Sequence, residues 1–284
     1  MIVSLRTGRP RLRLAMAAAA ACIFSASSVE AADPAALVVQ TAPNSTQTVD
    51  HSAWDTLLKT HVKVNPDGLN RVDYAAFKKY DQDKLKAYIS ALEKIDPRQL
   101  NRVEQFAFFA NLYNARTIDI VLEHYPVASI KDISLGGGLL AAVTGGPWKA
   151  KAVKVAGQDL SLDDIEHKIL RPTFKDPRVH YSVNCASVGC PNLQPHALSG
   201  ATLNDQLDQA ARQYVNSPRG VNAGQDGLVI SSIYRWFKED FGGNDAGIVA
   251  HLKKYAEGPL AEKLKATGTI ASDKYDWSLN DARK

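Results

Sequence analysis

The stretch from Asn101 to Tyr125 constrains this chain more than any other. Wound as a helix at 100° per residue, it gathers Gln105, Arg116, Asp119 and Glu123 on one side. Phe106, Phe109, Ala110, Tyr113, Ile118 and Val121 cover most of the remaining circumference. A helix that is apolar over so much of its surface must be enclosed by the rest of the chain. Asn101 followed by Glu104 marks its start, and Pro126 stops it. Asn111 and Asn114 fall on the apolar side. A buried amide without partners costs roughly 1–3 kcal/mol, so both should be hydrogen-bonded. They either tie the helix to neighbouring backbone or line a pocket.

The elements to enclose it can be read on both sides. Trp54, Leu57 and Leu58 have helical spacing, Leu69 to Tyr74 reads as a short strand, and Lys79 to Ile95 as an amphipathic helix. Lys151 to Val155 followed by Gly157-Gln158 is one arm of a hairpin, and Gly227 to Ile230 is a strand. Helices are expected over Ser161–Leu170, Thr202–Tyr214, Ser232–Asp240 and Ile248–Tyr255. Lys274 to Asn280 reads as a closing extended segment. The expected class is α/β, in its α+β form: one compact domain over 51–284 with a buried central helix on a small sheet.

The first 31 residues read as an address. Arg6, Arg9, Arg11 and Arg13 precede a short apolar run, Leu14 to Phe24, and a small-residue cleavage site at Val29-Glu30-Ala31. This is the anatomy of a cleaved secretory signal, with lipidation of Cys22 as the rival reading. Without those residues the formal charge falls from +4 to +1, so no basic patch argues for nucleic acid. No later run is long and apolar enough for stable membrane insertion. The expected location is the periplasm or the exterior. Residues 32–50, rich in Ser, Thr, Pro and Asn, read as a flexible linker. Gly136-Gly137-Gly138 and Gly145-Gly146 bracket what reads as a mobile loop without phosphate-binding spacing.

Chemistry concentrates in Arg178–Leu193, RVHYSVNCASVGCPNL. Val179, Tyr181 and Val183 alternate with His180, Ser182 and Asn184, which predicts a strand exiting into a turn that carries Cys185 and Cys190. On a straight strand His180 and Cys185 would face opposite ways, roughly 16 Å apart. In the helix before it, Glu166 projects into the apolar stripe of Leu162, Ile165, Ile169 and Leu170, whereas Asp163, His167 and Arg171 share the next face. A carboxylate so placed needs a partner, such as Arg178 or Arg235, or a raised pKa.

Several stretches together resemble the family known as domain of unknown function 547: VDYAAF (72–77), FFANLYNARTIDIVL (108–122), LSLDDIEHKILRP (160–172), DPRVHYSVNCASVGCP (176–191), RWFKEDFGG (235–243) and YDWSLN (275–280). The resemblance runs in order through nearly the whole chain after residue 31. It implies a single α/β domain in an exported, bacterial-type form, and implies little about chemistry.

Three chemistries are open to the cysteines. Cys185 and Cys190 can pair as a disulfide across their short loop, which suits an oxidising compartment. Cys185 can act as a nucleophile, with His167 as base and Glu166 or Asn114 as orienter, in a hydrolase or acyl transferase. Arg178, Arg235, His180 and Asn111 are then the candidate substrate contacts, the arginines holding an anionic group of a small molecule or peptide. A metal site from His180, Cys185, Cys190 and His196 lacks the paired spacing of structural zinc, so neither a metal nor another cofactor is expected. Against all of these stands a non-catalytic binding module with a Cys185–Cys190 disulfide.

Overall fold

In the computed structural model the residues described are Met1, 33–135, 146–266 and 268–283. The expected signal segment and most of the glycine-bracketed loop therefore lie outside the described residues. The central helix runs Arg102–His124, and eighteen of its 23 residues are buried, which makes it the axis of the main core. Asn101 caps it by accepting from the Glu104 backbone N–H at 3.1 Å. Tyr125, extended ahead of Pro126, ends it.

Helices Ser52–His61, Tyr74–Tyr80 and Gln82–Leu92 cover one side of this axis through Trp54, Leu58, Phe77 and Leu85. On another side a π-helical stretch, Asp164–Leu170, continues directly into Arg171–Phe174. Its wide turn is seen in the Arg171 N–H, which bonds back to the Glu166 carbonyl. Ser161 caps this helix reciprocally with Asp164: each side chain accepts from the other's backbone N–H, at 3.0 and 2.9 Å. The hairpin Val153–Val155 with Gln158–Leu160 closes part of the same core.

A second core is built from helices Leu203–Val215 and Asp245–Tyr255 around a three-stranded sheet. In that sheet Val221–Ala223 pairs antiparallel with Leu228–Ser231, which pairs in parallel with Ile270–Lys274. The molecule is thus mixed helix and sheet, 53% helical and 10% strand, as expected. Among the described residues the expected single small sheet is instead three separate sheets, and the central helix packs chiefly on other helices.

Two further expectations are corrected. Val179–Ser182 is a single helical turn, not a strand. All four of its residues are buried, Val179 in the first core and Tyr181 in the second, so the polar alternation has no solvent face to answer to. Asp176-Pro177-Arg178 starts the turn, accepting from the N–H groups of Val179, His180 and Tyr181. Tertiary burial overrides the β-propensity of the sequence. The expected linker also packs. Ala36–Val39 is a helical turn whose Leu37 and Val38 lie in the main core. The central helix supplies its backbone partners: Arg102 donates to the Val38 carbonyl, Gln105 to that of Gln40, and Glu104 accepts from the Val49 N–H.

Candidate functional site

The cysteine loop is held from both sides before it can present anything. Asn114, on the central helix, donates to the Ser182 carbonyl and accepts from the Asn184 N–H, both at 2.8 Å. Asn184 in turn donates to the Pro191 carbonyl and accepts from the Ala186 N–H. Ala186 sits at φ +61°, a left-handed conformation costing a non-glycine residue roughly 1–2 kcal/mol. The C-terminal segment laces across the same loop, with the Asn280 N–H on the Ala186 carbonyl and the Val188 N–H on that of Ser278. A side chain at Gly189 would meet the backbone of Asp276 at 2.8 Å, so only glycine permits that approach. Strain maintained by surrounding structure is typical of functional sites.

This lacing brings Tyr275 to the thiols. Cys185 Sγ lies 2.9 Å from Cys190 Sγ, 3.1 Å from the Tyr275 hydroxyl and 3.2 Å from that of Ser187. Both cysteines are free. The Cys190 hydrogen bond, first, and then the hydroxyls of Ser187 and Tyr275 hold the Cys185 thiol below its ordinary pKa, against burial and the charge of Glu166. Burial and then the neighbouring Cys185 push Cys190 well above. Of the two, Cys185 is therefore the thiol that gives up its proton more readily, and Cys190 the one that keeps its own.

The thiols open on a cleft of about 240 Å³. Glu166, His167, His180, Asp163 and Tyr113 line it, together with Val183, Ile233 and an aromatic wall of Trp148, Trp236, Phe237, Tyr275 and Trp277. His180, expected across a strand from Cys185, shares this cleft because the helical turn replaces the strand. Glu166 lies 3.8 Å from His180 Nδ1 and 3.9 Å from His167 Nδ1. Burial, and then the Glu166 charge, push the Tyr113 phenol well above its ordinary pKa.

The two imidazoles are held differently. Arg171 Nη1 donates to His167 Nδ1 at 3.2 Å, and an arginine can only donate, so that lone pair is engaged. His180 Nε2 meets Asp240 Oδ2 at 2.7 Å, and the ring stacks on Phe237 with centroids 4.4 Å apart. Burial opposes the Asp240 charge, but bonds from His180 and Arg171 hold its carboxyl well below the usual carboxylate range. Ionised Asp240 accepts the Nε2 proton, so the network assigns the lone pair of His180 to Nδ1, facing Glu166.

Of the residues singled out from sequence, Cys185, Cys190, Glu166, His167 and His180 meet in this cleft. The others are engaged elsewhere. Asn114 holds the loop by backbone bonds, and Asn111 clamps Leu198 in the same two-handed way. Arg178 pairs with Asp176 and Asp208, and Arg235 with Asp245, so neither is the partner of Glu166. His196 lines a separate small cavity. Among the described residues no cluster of three or more His, Cys, Asp or Glu has the geometry to hold a metal, and no helix is long and apolar enough to cross a membrane. Sequence reasoning missed Asp240, Ser187 and the role of Tyr275. The one available signal was that Asp240 and Tyr275 sit inside resembling stretches, RWFKEDFGG and YDWSLN.

Fold and site together define a mixed α+β protein with a thiol-bearing, aromatic-walled cleft. Residues 97–215 match the model of a family described as "Protein of unknown function, DUF547". The matched stretch carries the central helix, Glu166, both histidines and both cysteines, while Asp240 and Tyr275 lie beyond it. No curated protein and no solved structure matches the chain.

Proposed function

We propose that the cleft performs thiol-dependent acyl chemistry, hydrolysis or transfer, with Cys185 as nucleophile. The observation that carries this reading is the Cys185 sulfur, held by a thiol and two hydroxyls that favour its thiolate, at a cleft that also contains Glu166, His167 and His180. His180 is preferred to His167 as the base, because Asp240 orients its ring and leaves Nδ1 free of a hydrogen bond from arginine. Asp240 is a positioning residue. In the proposed step the Cys185 sulfur forms a bond to the substrate carbonyl carbon and its proton passes to His180. The carbon–leaving-group bond then breaks, and His180 returns the proton to the departing oxygen or nitrogen. Water, or an acceptor amine, attacks the thioester with His180 taking its proton; the carbon–sulfur bond then breaks, and His180 hands that proton to the departing Cys185 sulfur, which releases the acyl group and restores the thiol.

The experiment is to incubate reduced protein with a panel of p-nitrophenyl esters and thioesters, then read p-nitrophenol or thiol release and intact mass. An acyl adduct on Cys185, absent in Cys185→Ala, is the expected outcome. Product release that survives Cys185→Ala would refute the assignment. Asp240→Asn should lower turnover by about 10²-fold or more while leaving the initial alkylation of Cys185 measurable.

A second reading rests on the 2.9 Å separation of the sulfurs: an oxidised Cys185–Cys190 pair in a binding module. Thiol labelling with and without reductant separates the two. We further propose that the chain is exported and that residues 1–31 are removed, on the order of basic, apolar and small-residue regions at its start.

A further inference from the structure

We propose that the cleft recognises a positively charged amine, so that its substrate is a cationic acyl compound or a peptide presenting an ammonium group. The proposal deepens the acyl-chemistry reading by naming the substrate class, and rests on it only for the word substrate. Two independent features point the same way.

The first is the aromatic wall. Trp236 stacks on Trp277 at 5.7 Å between ring centroids, Tyr275 touches both at 4.9 and 4.7 Å, and Trp148 meets Trp277 edge-on at 5.8 Å. This is one continuous π surface. Trp236 remains 49% exposed, a large apolar side chain left open at the cleft. The electron-rich faces of tryptophan attract cations. Trp277 already accepts one from within the chain, the Lys131 ammonium at 5.1 Å from its ring centroid.

The second is the sign of the charge. Asp163 and Glu166 line the cleft, and among the described residues no lysine or arginine does. Glu166 is 9% exposed, and the cationic partners within reach are imidazoles, at 3.8 and 3.9 Å, that carry charge only when protonated. The Arg171 guanidinium, which reaches the cleft residue His167, is bound to Asp240 and lies over the Phe237 ring. Lys149, which acts on Asp163, is exposed. A low-dielectric concavity lined by one sign of charge concentrates ligands of the opposite sign, by about 10-fold to 10³-fold. An apolar acyl group would need the wall but not the acids, and an anionic one would be repelled.

The test uses Cys185→Ala protein, so that binding is read without reaction, and the cleft tryptophans as reporters. Intrinsic fluorescence is titrated with benzyltrimethylammonium, benzyl alcohol and benzenesulfonate. The cation should bind at least about tenfold tighter than either of the others. Asp163→Asn should weaken the cation by about threefold and leave benzyl alcohol unchanged, whereas Trp236→Ala should weaken both. Equal affinity for the cation and the alcohol, tighter binding of the sulfonate, or no saturable response to the cation would each overturn the proposal. Its failure is distinct from that of the acyl reading. Cation binding without acyl adducts on Cys185 of the unmodified protein keeps this inference and removes that one; adducts without charge preference do the reverse.

Discussion

The thiol of Cys185 owes its acidity first to Cys190, five residues on, and only then to the hydroxyls of Ser187 and Tyr275. Replacing Cys190 by alanine removes the leading contribution. The midpoint of iodoacetamide labelling of Cys185 against pH should therefore move upward in reduced Cys190→Ala protein. An unchanged or lowered midpoint would show that Cys190 does not support the thiolate. Tyr275→Phe should move it in the same direction, since it removes one of the two hydroxyls. Cys185→Ser should abolish the labelling altogether with little change in melting temperature, because Cys185 is a partner in the cluster and not its anchor. That role falls to Asn114, Asn184 and the backbone of 276–280.

At the scale of elements, the central helix acts on the site through one amide. Asn114 satisfies a carbonyl and an N–H on the two sides of Val183, where the helical turn gives way to the cysteine loop. Asn114→Ala leaves both backbone groups buried without their partner and should cost roughly 1–3 kcal/mol in urea denaturation. Asn111→Ala should cost a similar amount, since Asn111 clamps Leu198 in the same manner. The two differ in consequence. Only the Asn114 variant should also slow alkylation of Cys185; equal slowing in both would mean that general destabilisation, and not the loop clamp, controls the thiol. The π-helical stretch is the other element that shapes the site. It keeps Asp163, His167 and Arg171 on one face, with His167 3.9 Å from Asp163 and 3.2 Å from Arg171, and places Glu166 between His167 and His180.

At the scale of the whole molecule, two buried histidines outside the cleft link stability to pH. Burial lowers His51 to about 4 and, helped by Lys254, His251 to about 4, against an ordinary value of 6.5. Between those values the unfolded chain holds protons that the folded protein does not. Stability should therefore fall as pH drops from 6.5 towards 4, by up to about 1.4 kcal/mol per pH unit for each histidine. His251→Gln keeps a hydrogen-bonding group for the Tyr181 hydroxyl, 2.7 Å from His251 Nε2, without the titration. It should remove about half of that slope when urea denaturation is compared at pH 7 and pH 5. An unaltered slope would assign the acid sensitivity to other groups. Export is tested at this scale too: intact mass of the protein recovered outside the cytoplasm should begin near Ala32, and a chain retaining residues 1–31 or a diacylglyceryl group on Cys22 would contradict it.

By itself the sequence determined what must be buried and where elements begin and end. The apolar circumference of Asn101–Tyr125, the Asn101 cap and the stop at Pro126 all reappear because helix periodicity and capping are local. The hydrogen-bonded burial of Asn111 and Asn114 follows from the same local geometry plus the cost of an unpaired amide. Only the tertiary structure decided how distant segments meet. Val179–Ser182 carries a strand-like alternation, yet it lies between two cores that bury both of its faces, and burial outweighs a propensity worth about 1 kcal/mol. Leu37 and Val38 were invisible as core because the residues that hold their segment, Arg102 on Val38 and Gln105 on Gln40, stand more than sixty residues away. Asp240 and Tyr275 complete the site from 60 and 90 residues beyond His180 and Cys185. No spacing along the chain encodes those pairings; they exist because the second core and the C-terminal segment are folded against the loop.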